Sequence, residues 1–218
     1  MQKINVVLFD LDGTLVNSND LLINSFDHTF NHYFPDLQFT RDDYIHMIGP
    51  SLKKTFSKYE TSMVKVKEMI QFFRKYYTEH ETKSIDIYPN LIKTLQRLKS
   101  AHIQTGIVTT KFKESAIPSI QLFNLDAYID IYVFLDDVEN PKPHPDPIYY
   151  AESLLDNVDK MLIVGDNPSD IISGKNANIL TCGVAWSYKR EALLETKPDF
   201  WLKDFKDLLP MIQKYNRR

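Results

Sequence analysis

Short apolar runs bounded by turn residues recur along the chain, at "NVVLF" (5–9), "QTGIVT" (104–109), "DIYVFL" (130–135), "MLIVG" (161–165) and "ILTCGVAW" (179–186). Each is rich in β-branched or aromatic residues and lacks strict polar alternation, the pattern of strands covered on both faces. Between the later runs, apolar residues return at helical spacing. "YPNLIKTLQRLKS" has Pro89 near its start and Leu91, Ile92, Leu95 and Leu98 on one face. "HPDPIYYAESLLDN" offers Asp146 as N-cap and Pro147 as first helical residue. The alternation predicts an α/β fold: a doubly wound, Rossmann-like parallel sheet with ligands at the carboxyl ends of its strands.

The connection between the first two strands breaks the rhythm, being far longer than a crossover helix needs. Most of it reads as helix. "NDLLINSFDHTFNHYF" places Leu21, Leu22, Ser25, Phe26, Thr29 and Phe30 in register, and "MVKVKEMIQFFRKYY" carries an apolar stripe from Met63 to Tyr77. The expectation is a helical cap domain, 17–84, inserted into a core domain of 1–16 and 85–218. His28 and His32 lie four apart on the first of these helices, a zinc-compatible spacing. No third ligand stands nearby, so they read as packing or solvent-facing histidines.

Composition narrows the field. Of 218 residues, 43% are hydrophobic and 25% charged, the balance of a soluble globular chain, and a net charge of −3 supplies no basic footprint for nucleic acid or membrane. Cys182 is the single cysteine, which excludes an intramolecular disulfide and a thiolate metal cage. No run reaches membrane-spanning length, and a cytoplasmic location is expected.

The chemistry sits where the strands end. Asp10, Asp12, Gly13 and Thr14 follow the first run; Thr109, Thr110 and Lys111 the second. Lys142 in "VENPKPHPDP" follows the third, and Asp166 and Asp170 in "GDNPSD" the fourth. Parallel strands bring these to one sheet edge as a metal-dependent phosphoryl-transfer set. An aspartate can attack phosphorus and form an acyl-phosphate. A hard Mg²⁺ between Asp10 and Asp166 would relieve their repulsion. Asp12, aimed by the Gly13 turn, can protonate a leaving group and later deprotonate water. Thr109 and Lys142 can hold phosphoryl oxygens. Prolines on both sides bias Asn140 and Lys142 toward extended backbone. Asp136, Asp137 and Glu139 read as a solvated loop, and Trp186 as cover for the core edge.

In order, "DLDGTL", the Thr of "GIVTT", the Lys of "KPHPDP" and "GDNPSD" resemble the haloacid dehalogenase (HAD) superfamily, and the long insertion is like its C1-type helical caps. The resemblance implies a nucleophile and Mg²⁺ ligand at Asp10. It implies an acid/base at Asp12, with the Asp12 backbone carbonyl also on the metal. Thr109 and Lys142 would hold the phosphoryl group, Asp166 would complete the metal site, and Asp170 would support it directly or through water. "IGPSLKKTF", "GIVTTK", "LDDVENPKP", "SGKNA", "GVAWSYK" and "KPDFWL" are similar to the PpaX-type bacterial pyrophosphatases related to phosphoglycolate phosphatases; Asn17 and Thr110-Lys111 fit that subgroup.

Gly13, Thr14, Thr110 and Lys111 count as substrate-binding, as do Gly49, Lys53 and Lys54 of the insertion. There Gly49-Pro50-Ser51 looks like a helix start favouring an anion. The expected substrate is a small phosphorylated molecule, with pyrophosphate ahead of phosphoglycolate or another phosphomonoester. Behind these stand a phosphomutase, a Mg²⁺-independent dehalogenase and a non-catalytic binding module.

Overall fold

The computed structural model describes residues 2–217. In chain order the elements begin with β1 (Ile4–Phe9), β2 (Val16–Asn17), α1 (Asn19–Tyr33), α2 (Arg41–Met47), α3 (Leu52–Phe56), α4 (Met63–Ser84) and β3 (Asp86–Ile87). Next come α5 (Leu91–Ser100), β4 (Gln104–Val108), α6 (Lys113–Leu122), β5 (Ile131–Val133) and α7 (Asp146–Ser153). The chain continues through β6 (Lys160–Gly165), α8 (Pro168–Asn176), β7 (Leu180–Val184), α9 (Arg190–Glu195), β8 (Phe200–Leu202) and α10 (Leu208–Asn216). It divides into two compact units, one running to Val16 and resuming at Ile87, the other Asn17–Asp86.

The first unit is built on a six-stranded sheet in the order β5-β4-β1-β6-β7-β8, with every neighbouring pair parallel. From β1 the chain winds outward through β4 and β5, then returns to the other side of β1 with β6, β7 and β8. The direction reverses at β1, so the ends of β4, β1 and β6 form the crevice where doubly wound sheets bind ligands. Val6 to Phe9 of β1 and Leu162 to Val164 of β6 are fully buried, as strands with helices on both faces must be.

Two expectations need correction. β8 is a sixth strand of the sheet that its short, half-buried "FWL" did not announce. Asp146 is not the N-cap of α7: Pro145 holds that position, and Asp146 lies inside the first turn. The Asp146 side chain accepts from Asn140 at 2.9 Å and pairs with His144 at 2.8 Å, so it ties the preceding loop together.

The second unit is helical. α1 and α4 pack around a core that includes Leu21, Phe26, Phe30, Phe56, Met69 and Phe73. Leu21, Ser25, Phe26, Thr29 and Phe30 are buried as the spacing predicts, joined by Ile23, while Leu22 is half-buried. α2 was not anticipated; Thr40 starts it with a capping box to Asp43, which satisfies two end groups reciprocally. Ser51 caps α3, whose Lys53 and Lys54 are exposed. His28 and His32 stack on Phe72, at ring-centroid distances of 4.9 and 4.4 Å, so both are packing residues.

Candidate active site

Asp10 directly follows β1, and its N–H still donates to Val164 O on β6. The chain then turns sharply: Gly13 N–H reaches Val16 O, and Leu15 and Val16 both donate to Leu11 O. Gly13 sits at φ +78°, where a side chain is disfavoured, and a Cβ there would lie 2.4 Å from Asp166 Oδ2. The turn therefore packs bare backbone against the β6 carboxylate. Thr14, fully buried, locks the two loops from inside. Its hydroxyl donates to Asp166 Oδ1 at 3.1 Å and accepts from the Asp166 N–H at 3.0 Å.

After β6, Asn167 caps α8, and Asp170 in the first turn completes a capping box by accepting from the Asn167 N–H. Asp170 thus lies in the first turn of α8 and beside Asp10 and Asp166 at once. The second oxygen, Oδ1, points to Lys142 at 2.6 Å. Gly165 permits this approach, since a Cβ there would lie 2.3 Å from the Asp170 Cβ.

Lys142 is the hub. Its ammonium reaches Asp10 Oδ1 at 2.6 Å, Asp170 Oδ1 at 2.6 Å and Val108 O at 2.8 Å, three acceptors for its three hydrogens. Burial alone would depress the amine, but Asp10 and Asp170 hold it above its ordinary range. Burial also pushes Asp10 up to about 7 despite the Lys142 ammonium beside it. Asp166 is pushed well above the ordinary carboxylate range by burial and then by the Asp10 charge.

Thr109 follows β4, buried, and its hydroxyl oxygen accepts from the Lys111 N–H at 3.1 Å. Its hydroxyl hydrogen therefore points elsewhere. Thr110 lies between these two residues, partly exposed. Lys111 Nζ lies 3.1 Å from Asp12 Oδ1, and both side chains are about 15% exposed. Leu135 N–H holds the Lys111 carbonyl from the β5 side. The acidic run beyond β5 is exposed, as expected of a solvated loop, and it also ties its surroundings together: Asp137 accepts from the Phe134 N–H and Asp136 from the Lys113 N–H.

Asp10, Asp166 and Asp170 offer oxygens that all lie within 4.8 Å of one another, and all three are buried. Carboxylates outnumber the ammonium groups paired to them: Asp10, Asp12, Asp166 and Asp170 against Lys111 and Lys142. An oxygen donor set with excess negative charge suits a hard divalent cation. The Asp12 carboxylate stands apart from the trio, on Lys111. Gly49, Lys53 and Lys54 belong to the helical unit.

Trp186 and Ser187 follow β7; Trp186 covers the core edge as expected, packing on Phe205, and both residues also reach the backbone of the site, which was not expected. The Trp186 indole N–H donates to Gly13 O, and the Ser187 hydroxyl donates to Asp166 O. Their "GVAWSYK" motif was the available signal. Cys182 is buried and its thiol is pushed up by desolvation, as befits an inert core residue. Among the described residues, no helix is long and apolar enough to cross a membrane.

Residues 7–184 match the family described as haloacid dehalogenase-like hydrolase. The chain is 46% identical over 217 residues to the pyrophosphatase PpaX of Bacillus cereus (strain B4264), covering 99% of each protein. The PpaX of Bacillus mycoides (strain KBAB4) is also 46% identical, over 216 residues. Among solved structures, a predicted phosphoglycolate phosphatase of Haemophilus somnus 129pt superimposes with TM-score 0.82 at 27% identity, covering 97% of this chain and 99% of that one. A haloacid dehalogenase-like hydrolase of Bacteroides fragilis shares the fold at TM-score 0.86, with 23% identity.

Proposed function

This chain belongs to the haloacid dehalogenase-like hydrolase family, and from that premise we propose that it hydrolyses inorganic pyrophosphate to two phosphates through an aspartyl-phosphate on Asp10. The observation that carries the reaction class is the convergence of Asp10, Asp12, Thr109, Lys142, Asp166 and Asp170 at the ends of β1, β4 and β6 and in the loops that follow the strands. The full-length similarity to PpaX supports the substrate.

The residues divide the work. Lys142 pins Asp10 Oδ1, and the other carboxylate oxygen attacks phosphorus. The bond from phosphorus to the bridging oxygen breaks, its electron pair leaves with the departing phosphate, and Asp12 delivers a proton to that oxygen. Asp12 then takes a proton from water as the water oxygen attacks the acyl-phosphate. The bond from phosphorus to Asp10 breaks and the carboxylate returns. Thr109 holds an equatorial oxygen through both steps, and the Lys142 ammonium, committed to Asp10, Asp170 and Val108 O, supplies positive charge beside the same group. Asp10 and Asp166, supported by Asp170 and the Asp12 backbone carbonyl, would hold Mg²⁺, which neutralises phosphoryl charge when bound. Gly13 and Thr14 shape the phosphate-facing turn, and Thr110 and Lys111 border it.

A small phosphomonoester such as phosphoglycolate is the second reading, favoured by the likeness to the Haemophilus structure. Phosphate release with Mg²⁺, comparing pyrophosphate, phosphoglycolate and sugar phosphates at equal concentration, separates the two. Pyrophosphate should lead by at least tenfold in kcat/KM. A preference for phosphoglycolate would keep the mechanism and replace the substrate.

A further inference from the structure

The loop after β7 touches the backbone of both acid-bearing loops through adjacent residues. Trp186 Nε1–H donates to Gly13 O at 3.1 Å, in the turn that follows Asp10 and Asp12. Ser187 Oγ–H donates to Asp166 O at 2.6 Å, at the end of β6. Neither contact is loose. The indole lies between the rings of Tyr88 and Phe205, at centroid distances of 5.1 and 4.9 Å, and Phe205 in turn meets Phe9 of β1. Ser187 is buried, and its oxygen also accepts from the Lys189 N–H at 2.9 Å, which fixes the direction of its single hydrogen.

Why should that loop need holding? Asp10, Asp166 and Asp170 crowd within 4.8 Å, and unneutralised carboxylates at that separation drive their loops apart. Thr14 links the β1 and β6 loops from inside the crevice. Trp186 and Ser187 link the same two loops from the β7 side, at main-chain carbonyls rather than at the carboxylates themselves. The side-chain oxygens stay available while the spacing of their backbones is set.

We infer that Trp186 and Ser187 are positioning residues for a divalent cation, bracing the β1 and β6 loops at the separation at which Asp10 and Asp166 bind it. The inference rests on the Mg²⁺-dependent reading above. Mg²⁺ tolerates little departure from octahedral oxygen geometry, so relaxing the two loops by a few tenths of an ångström weakens binding. Groups that orient metal ligands without touching the metal typically cost about 10–100-fold in affinity when removed.

The test is Mg²⁺ binding to the full chain by titration calorimetry, without substrate, alongside kcat as a function of Mg²⁺. Trp186→Phe keeps the stacked ring and removes the N–H; Ser187→Ala removes the hydroxyl. Each should raise the Mg²⁺ dissociation constant about tenfold, with kcat at saturating Mg²⁺ within about threefold of wild type. Ser187→Thr, which keeps the hydroxyl, should restore most of the affinity. Dissociation constants within about twofold of wild type in both deletions would overturn the brace. So would a Thr variant as weak as the Ala variant, because the effect would then lie in packing. Failure of wild-type protein to bind Mg²⁺ would instead remove the metal reading on which the brace depends.

Discussion

The two units solve opposite problems. The helical unit is held by rings: Phe30 alone meets Phe34, Phe39, Tyr44, Phe56 and Tyr59, and Lys53 and Lys54 stay in solvent. The sheet unit instead buries Asp10, Lys142, Asp166 and Asp170 at one edge of an apolar core. Burying charge costs several kcal/mol per ion unless each is paired and hydrogen-bonded. A fold does not need such an arrangement. Strand ends held rigidly by a parallel sheet can sustain it, and the resulting field acts on a phosphoryl group without reorganisation.

The hardest test of that contrast is Lys142→Met. It strands Asp10 and Asp170 without their cation, and breaking a buried pair from one side costs about 3–5 kcal/mol. The metal-free variant should lose stability of that order in urea, and turnover should fall at least about a hundredfold. A variant as stable as wild type would mean that the acids find another partner, and Lys142 would no longer be the hub.

Protonation sharpens the same point. Asp10 and Asp166 both sit above their unfolded values in the metal-free protein, Asp10 at about 7. The folded state therefore binds protons that the unfolded state has released. For Asp10 the stabilisation is complete below the unfolded value of 3.8 and is lost as pH rises through about 7. Melting temperature in EDTA should fall across that window, and Asp10→Asn should flatten the fall while abolishing turnover. Added Mg²⁺ favours the ionised acids, so its stabilisation should grow over the same range. A metal-free melting curve in which wild type and Asp10→Asn run parallel would remove Asp10 from the titration.

How much of this could be read from the chain alone follows from the range of the forces. Asp10, Thr109 and Asp166 each end a buried apolar run, and the parallel sheet aligns such ends whatever the loops do. Asp170 was legible as a nearby acid, but not as the second partner of Lys142. That pairing depends on Gly165 lacking a side chain. Trp186 was legible as cover for the core edge, but the bonds that it and Ser187 make to the site backbone were not, because they reach carbonyls 173 and 21 residues away. β8 was missed because a strand of three residues is too short to show a period, and α2 because a helix of seven residues offers only Tyr44 and Met47 as buried positions, too few to mark a stripe. Asp146 was misjudged by one position, since Pro145 can also occupy a helix start.

The smallest effects compare lysines with one another. Lys111 is about 15% exposed and held 3.1 Å from Asp12, the proposed proton carrier, so its charge lies on the side where the leaving group departs. Pyrophosphate releases an anion there, whereas a glycerol phosphate releases a neutral alcohol. Lys111→Met should therefore lower kcat/KM for pyrophosphate by about 10–100-fold and that for glycerol phosphate by several-fold less. Equal losses would reduce Lys111 to a holder of Asp12. Lys53 and Lys54 are exposed on α3, where water and salt screen them. Replacing both by Ala should lower kcat/KM for pyrophosphate only about threefold at low ionic strength, and the deficit should vanish near 0.5 M salt, where the Debye length is about 4 Å. A loss that survives high salt would mean that these lysines act by direct contact with the substrate. The contrast between acids and a lysine gathered in a buried cluster and lysines left in solvent would then have to be redrawn.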